Sequence, residues 1–151
     1  MSIMVPLDTS DLSASALGSA TELAAALGTE VLLVTVASPG LRAALQDFAD
    51  AEGEDPVDII ESKLRGAARS LTGLQVKTDV LSGDDPASAL LERSERGDVE
   101  MIILASHGRT GVQRWMMGSV AERVVRGSTV PVMVVPAPWR QVAHKAGDSA
   151  S

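Results

Sequence analysis

The chain has 151 residues, which is room for one domain with a hydrophobic core, since single domains typically hold about 100–200 residues. Its net charge of −7 and pI near 4.7 argue against nucleic acid as a partner, because the averaged field repels polyanions. The absence of cysteine excludes disulfides, thiolate metal sites and thiol redox chemistry, and it fits a reducing compartment.

Five short runs rich in Val, Ile and Leu predict β-strands at residues 3–7, 31–36, 76–81, 101–105 and 130–135. The first helix is predicted between the first two strands, with Ser10 as its N-cap and Gly28 as its C-terminal stop. Residues 41–54 are acidic and Ala-rich, and we expect a short helix and loop there, over one edge of the sheet.

Two later helices share one start signal, a capping aspartate followed by a proline that suits the first helical position. Asp55 and Pro56 open the first of them, whose apolar residues recur at spacings of three and four until Gly73 ends it. The same pair, Asp85 and Pro86, opens a shorter helix that we expect to reach residue 97. A last helix is predicted over residues 119–126.

This alternation of strands and helices predicts an α/β fold. Parallel strands need crossover connections and are buried on both faces, so we expect an open doubly wound sheet with helices on both faces. The predicted sheet has five parallel strands in the order 3-2-1-4-5. Ligands of such sheets bind outside the carboxyl ends of the strands, where the winding reverses.

The loop after the fourth strand is the most informative passage for function. Its glycines allow tight turns and a close approach to a ligand, and Gly118 and Ser119 at a helix start offer N–H groups and a hydroxyl to a phosphate. Glycine spacing alone leaves a second interpretation open, in which Gly108 and Gly111 serve turns and Ser119 only caps the helix.

Four segments spread along the whole chain form a recognisable set: Val-Pro-Leu-Asp-Thr-Ser at 5–10, Ser-His-Gly-Arg-Thr-Gly at 106–111, Gly-Ser-Val-Ala-Glu at 118–122 and Val-Pro-Val-Met-Val-Val-Pro at 130–136. Together they resemble the universal stress protein family. The family's ATP-binding branch has the pattern Gly, two residues, Gly, nine residues, Gly and Ser or Thr. This chain matches it at Gly108, Gly118 and Ser119, and departs from it at Ala105. Ala121 is a second departure, since many nucleotide-binding relatives have Ser or Thr there.

The resemblance implies ATP, with or without Mg²⁺, as the ligand, and it implies a role for individual residues. Asp8 would accept hydrogen bonds from ribose, or else cap the turn that follows the first strand. Val36 and Leu104 would flank adenine, or else belong only to the core. Arg109 would contact phosphate, or else be solvated. The full set of nucleotide-binding residues implied is Pro6, Leu7, Asp8, Val36, Leu104, Ala105, His107, Gly108, Arg109, Gly118, Ser119 and Val120.

The last predicted strand, Val130 to Val135, is apolar and lies at a sheet edge. An exposed apolar edge pairs with another strand, and the resemblance implies a homodimer through this one; the alternative is that the tail or a loop covers it. We expect a single domain over residues 1–137 and a disordered tail over 138–151. The start of the chain lacks the basic flank of a signal peptide and no apolar run reaches membrane-spanning length, so we expect a cytoplasmic protein without membrane contact.

Three functions follow in order of preference. The first is an ATP-binding universal stress protein that acts as a nucleotide-dependent stress-response or signalling module, with hydrolysis slow or absent. The second is a nucleotide-free dimeric interaction module, which Ala105 and Ala121 favour. The third is an ATPase or nucleotidyl-transferring enzyme. It ranks last because no residue resembles a catalytic base or a water-positioning group, and His107 and the loop serines lack triad partners.

Overall fold

The computed structural model describes residues 1–10, 13–106 and 117–136, so the predicted tail lies outside the described residues. The strands are β1 Ser2–Pro6, β2 Glu30–Ala37, β3 Val76–Ser82, β4 Val99–Ala105 and β5 Val132–Val135, and the helices are α1 Leu17–Leu27, α2 Pro39–Glu52, α3 Pro56–Ser70, α4 Pro86–Ser94 and α5 Ser119–Gly127. All strand pairs are parallel, in the order β3-β2-β1-β4-β5. The predicted fold class and strand order are therefore confirmed.

Helices pack on both faces of the sheet and divide the core into two layers. Residues of β2 alternate between them: Val31 and Leu33 face α1 and α3, whereas Leu32 and Val34 face α4 and α5. This alternation is the period-two geometry of a strand that is buried on both sides. Within the described residues, no helix has the length and apolar character needed to cross a membrane.

The start of the first helix differs from its prediction. Ser10 is not its N-cap, because a 3-10 turn at Ser13–Ala16 comes first and α1 begins only at Leu17. The backbone N–H of Ser10 instead donates to the carboxylate of Asp8, which closes a turn directly after β1. The predicted stop at Gly28 is confirmed, since this residue has the left-handed φ of 66° that glycine tolerates best.

The short helix predicted over residues 41–54 is a 14-residue helix, α2, and the loop expected with it is largely absent from that range. The reason is an overlooked start signal. The hydroxyl of Ser38 accepts a hydrogen bond from the N–H of Leu41 at 3.2 Å, and Pro39 occupies the first helical position. The helix therefore begins two residues earlier than expected and ends at Glu52, with Gly53 as its C-cap at a φ of 69°.

The edge strand β5 begins at Val132 rather than at Val130. The hydroxyl of Ser128 donates to the carbonyl of Val130 and accepts from its N–H, so a local turn holds this residue outside the strand. Pro131 has no N–H to donate, although its carbonyl accepts from Ile102 at 2.9 Å.

Candidate functional site

A cleft of about 260 Å³ opens at the carboxyl ends of β1, β2 and β4. Its walls are the residues that follow these strands and the first turns of α2, α4 and α5. The boundary between β1 and β4 is where the strand order reverses, which is where ligands bind in open α/β sheets. Most of the predicted site residues line this cleft: Pro6, Leu7, Asp8, Val36, Leu104, Ala105, Gly118, Ser119 and Val120.

Three predicted site residues, His107, Gly108 and Arg109, lie outside the described residues. Sequence reasoning also overlooked some of the lining. Val34, Leu41 and Leu90 add apolar surface, and Ser38, Gly40 and Pro86 belong to the starts of α2 and α4. The rule that ligands lie beyond strand ends would have found the last group, because each of its members closely follows β2 or β3.

The floor of the cleft is apolar and close-packed. Val34, Val36 and Leu104 are at most 7% exposed, and each comes from the face of β2 or β4 that packs against α4 and α5. Leu90 of α4 closes this layer from above. A flat group whose faces are apolar, such as a nucleobase, would bury those faces here without covering a polar group of the cleft floor.

Asp8 is the one ionisable side chain among the described residues that line the cleft. Its Oδ1 accepts hydrogen bonds from both the N–H and the hydroxyl of Ser10, which orients the carboxylate at the end of β1. Thr9 between them has a φ of 71°, a left-handed conformation that β-branched residues rarely adopt. This turn directly after β1 leaves Asp8 in the lining of the cleft.

Ala105, the departure from the ATP-binding pattern, sits in this wall without backbone strain. It is the last residue of β4, is paired with Val135, and is 8% exposed. Thr9 is the one non-glycine residue with positive φ in the described part of the chain, so Ala105 does not need the left-handed conformation that favours glycine. Compared with the glycine of the ATP-binding pattern, Ala105 adds a methyl group that narrows the cleft, but the pairing at the end of β4 is kept.

The start of α5 is open to an anion. Its first intrahelical bond runs from the N–H of Glu122 to the carbonyl of Gly118, so the N–H groups of Ser119, Val120 and Ala121 have no acceptor within the helix. Gly118 is the N-cap and makes no side-chain capping bond. These three donors and the positive end of the helix dipole suit a phosphate.

The other two helices that reach the cleft offer less to an anion. Both α2 and α4 begin with a proline, which removes a donor, and the hydroxyl of Ser38 occupies a further N–H of α2. Asp85 places a negative charge at the start of α4. The cleft is therefore polarised: its donor end, at the start of α5, carries the N–H groups, and its apolar end lies between α2 and α4.

Ser106, which directly follows β4, is hydrogen-bonded to β5 and to the start of α5. Its N–H donates to the carbonyl of Val135 at 2.8 Å, and its carbonyl accepts from the N–H of Gly118 at 2.7 Å. The start of α5 is thereby fixed relative to β4 and β5. Within the described ranges, no three His, Asp or Glu side chains come together as a metal site would require.

The fold and the position of the cleft are those of the open α/β proteins, a class whose ligands bind where the winding of the sheet reverses. The family model of the universal stress protein family matches residues 1–136, and the chain belongs to this family. Universal stress protein MJ0531 of Methanocaldococcus jannaschii is 31% identical over 148 residues, covering 92% of this chain and 84% of the relative.

Two solved structures illustrate the fold similarity. Hypothetical protein MJ0577 of Methanocaldococcus jannaschii superposes with a TM-score of 0.74 at 26% identity, covering 89% of this chain and 94% of that one. The universal stress protein from Archaeoglobus fulgidus, in complex with dAMP, superposes with a TM-score of 0.65 at 22% identity, covering 89% and 96%. The second likeness is one of fold.

Proposed function

We propose that this protein binds ATP in the cleft and acts as a nucleotide-dependent stress-response or signalling module, with hydrolysis slow or absent. The observation that carries the proposal is the polarity of the cleft. One end of the cleft is formed by apolar strand ends and the other end by three N–H groups of α5. The Asp8 carboxylate lines the same cleft. A nucleotide has the same sequence of chemistry: base, ribose and phosphates.

Each part of ATP has a proposed counterpart. Adenine lies on Val34, Val36 and Leu104, the ribose hydroxyls donate to Asp8, and the phosphates accept from the first turn of α5. The sugar–phosphate and base parts are thus bound by different elements of the fold. Mg²⁺, where present, is held by the phosphates, as it usually keeps several waters and few protein ligands.

Calorimetric titration with ATP and Mg²⁺ tests this proposal directly. We expect the unsubstituted protein to bind ATP, and Asp8→Ala to bind it about tenfold more weakly, because a charge-assisted hydrogen bond is lost. Asp55→Ala, a carboxylate removed far from the cleft, serves as the matched control and keeps full affinity. Absence of binding at millimolar ATP contradicts the proposal and supports the alternative of a nucleotide-free interaction module.

We also propose that the protein forms a homodimer through β5. This strand is at the edge of the sheet and contacts β4 on one side; Met133 on it is 38% exposed. Carbonyls of Pro131 and Val135 accept from β4, and the parallel pattern alternates, so the N–H of Val134 points outward. A second copy of the strand would satisfy this open edge.

Val134→Pro is expected to convert the dimer to a monomer. Proline removes the outward donor at the edge but none of the hydrogen bonds from β5 to β4. Val134→Ala shortens the side chain and keeps the donor, so it should remain dimeric. Sedimentation or light scattering measures the mass of both variants, and circular dichroism verifies their fold. A dimeric proline variant would show that another surface forms the contact.

A further inference from the structure

Two helices of this chain begin with the same pair, Asp-Pro, and their aspartates behave differently. Asp55 caps its helix, since its Oδ1 accepts from the N–H of Val57 at 2.8 Å. Asp85 makes no capping hydrogen bond to α4. Its carboxylate instead accepts from Arg123 of α5 at 2.6 Å and from the hydroxyl of Ser88. The carboxylate of Asp85 is therefore shared between Ser88 in the first turn of α4 and a cation 38 residues further along the chain.

Arg123 belongs to α5, the helix whose first turn forms the donor end of the cleft, although it does not itself line the cleft. It is one turn beyond Ser119 and Val120, and long helical side chains point back toward the N-terminus of their helix. The guanidinium accordingly reaches the start of α4, where Nη1 contacts Asp85 and Nη2 donates to Ser88 at 3.2 Å. Pro86, the neighbour of Asp85, lines the cleft.

We propose that Arg123 is a phosphate-binding residue held in reserve by Asp85, so that this ion pair regulates the affinity of the cleft for anionic ligands. The inference rests on the proposed nucleotide function. While the pair is intact, the carboxylate neutralises the guanidinium next to α5. A bound polyphosphate competes with Asp85 for Arg123, because phosphate oxygens and carboxylates accept from the same guanidinium fork.

Several observations support an exchangeable pair. The side chain of Arg123 is 53% exposed and that of Asp85 is 41% exposed, so water solvates either partner when the contact opens. Exposed ion pairs of this kind contribute little to stability. The hydrogen bond from Arg123 lowers the pKa of Asp85, so the carboxylate is ionised at neutral pH and competes as a full charge.

The test measures the ATP and adenosine affinities of two variants, one at Arg123 and one at Asp85, for which opposite changes in ATP affinity are expected. Arg123→Gln removes the cation and leaves Asp85 uncompensated, so ATP affinity should fall roughly tenfold. Asp85→Asn releases the cation, so ATP affinity should rise roughly threefold. Adenosine has no phosphate, and both variants should bind it as the unsubstituted protein does. Arg123→Lys should recover part of the lost ATP affinity.

The controls carry the same charge changes elsewhere. Arg126→Gln removes an arginine from α5 that pairs with Glu122, and Asp55→Asn alters the aspartate that caps α3; both should keep the original ATP affinity. If Arg123→Gln and Asp85→Asn weaken ATP and adenosine equally, the pair is only a brace between α4 and α5 and the inference is overturned. If ATP affinity is unchanged in both variants, the inference about the Arg123–Asp85 pair is overturned while the proposed function stands. No ATP binding by the unsubstituted protein overturns it together with the proposed function.

Discussion

Gly118→Val is expected to weaken ATP binding roughly 100-fold, the largest effect of any single substitution in the cleft. Gly118 precedes the three free N–H groups of α5 and lines the cleft. A valine side chain there occupies the space in which phosphate oxygens approach those donors. Loss of one or two charge-assisted hydrogen bonds, at about 1.5–3 kcal/mol each, accounts for this magnitude.

The substitution tests close approach rather than backbone strain. Gly118 has a φ of −65° and a ψ of 158°, an extended conformation that valine also adopts. The folded state should therefore persist, and thermal unfolding should show a change of only a few degrees. Gly66→Val is the control for the glycine-to-valine change, because Gly66 lies inside α3, away from the cleft lining, and a Cβ there meets nothing within 4 Å. Full ATP affinity in Gly118→Val would place the phosphates away from α5.

Much of the fold was predictable because its signals are local and repeated. Each strand contains a short run rich in Val, Ile or Leu, and the Asp-Pro pairs at 55–56 and 85–86 start their helices where expected. The errors arise where a weaker signal was overlooked. Ser38 and Pro39 form the start of α2, which the prediction placed at residue 41, and the turn at Thr9 comes before α1, which begins beyond Ser10. A positive φ at a threonine has no sequence signature.

The site was only partly predictable, because a cleft is built from segments distant in sequence. Spacing and resemblance pointed to the segment that includes Gly118 and Ser119, whereas Leu41 and Leu90 enter the cleft through helix packing. No local pattern distinguishes such leucines from ordinary core residues. The pairing of Arg123 with Asp85 is likewise a product of the fold, since α4 and α5 follow different strands.

Arg93 is the most buried charged residue in the described chain and lies outside the cleft. Its side chain is 9% exposed, and its guanidinium makes two hydrogen bonds to Asp98, at 2.7 and 3.0 Å, and one to Asp79 at 2.9 Å. These contacts join α4 to β3 and to the residue that precedes β4. The carbonyl of Asp98 also accepts from the N–H of Ser2, so the network reaches β1.

Arg93→Met is expected to lower the free energy of unfolding by about 2 kcal/mol, which corresponds to a fall in Tm of roughly 4–8 °C. Methionine retains much of the buried stem and removes the charge. The carboxylates of Asp79 and Asp98, which lose their partner, are 33% and 53% exposed and can be rehydrated. The loss of stability is therefore smaller than for a fully buried ion pair. Arg65→Met, which removes an exposed pair with Glu61, should change stability by less than about 0.5 kcal/mol.

The pH dependence of the difference in unfolding free energy between Arg93→Met and the unsubstituted protein tests whether the charge of Arg93 is its cause. Hydrogen bonding from Arg93 lowers the pKa of Asp98 below its usual value of 3.8, so on acidification the unfolded chain takes up this proton first. The stabilising contribution is complete above about pH 5, where the unfolded chain is also ionised, and is lost as the pH falls through the folded-state pKa. Chemical unfolding between pH 6 and pH 3 should show the gap between Arg93→Met and the unsubstituted protein narrowing toward pH 3. A gap that stays constant would mean that Arg93 stabilises the fold by packing, and that its charge contributes little.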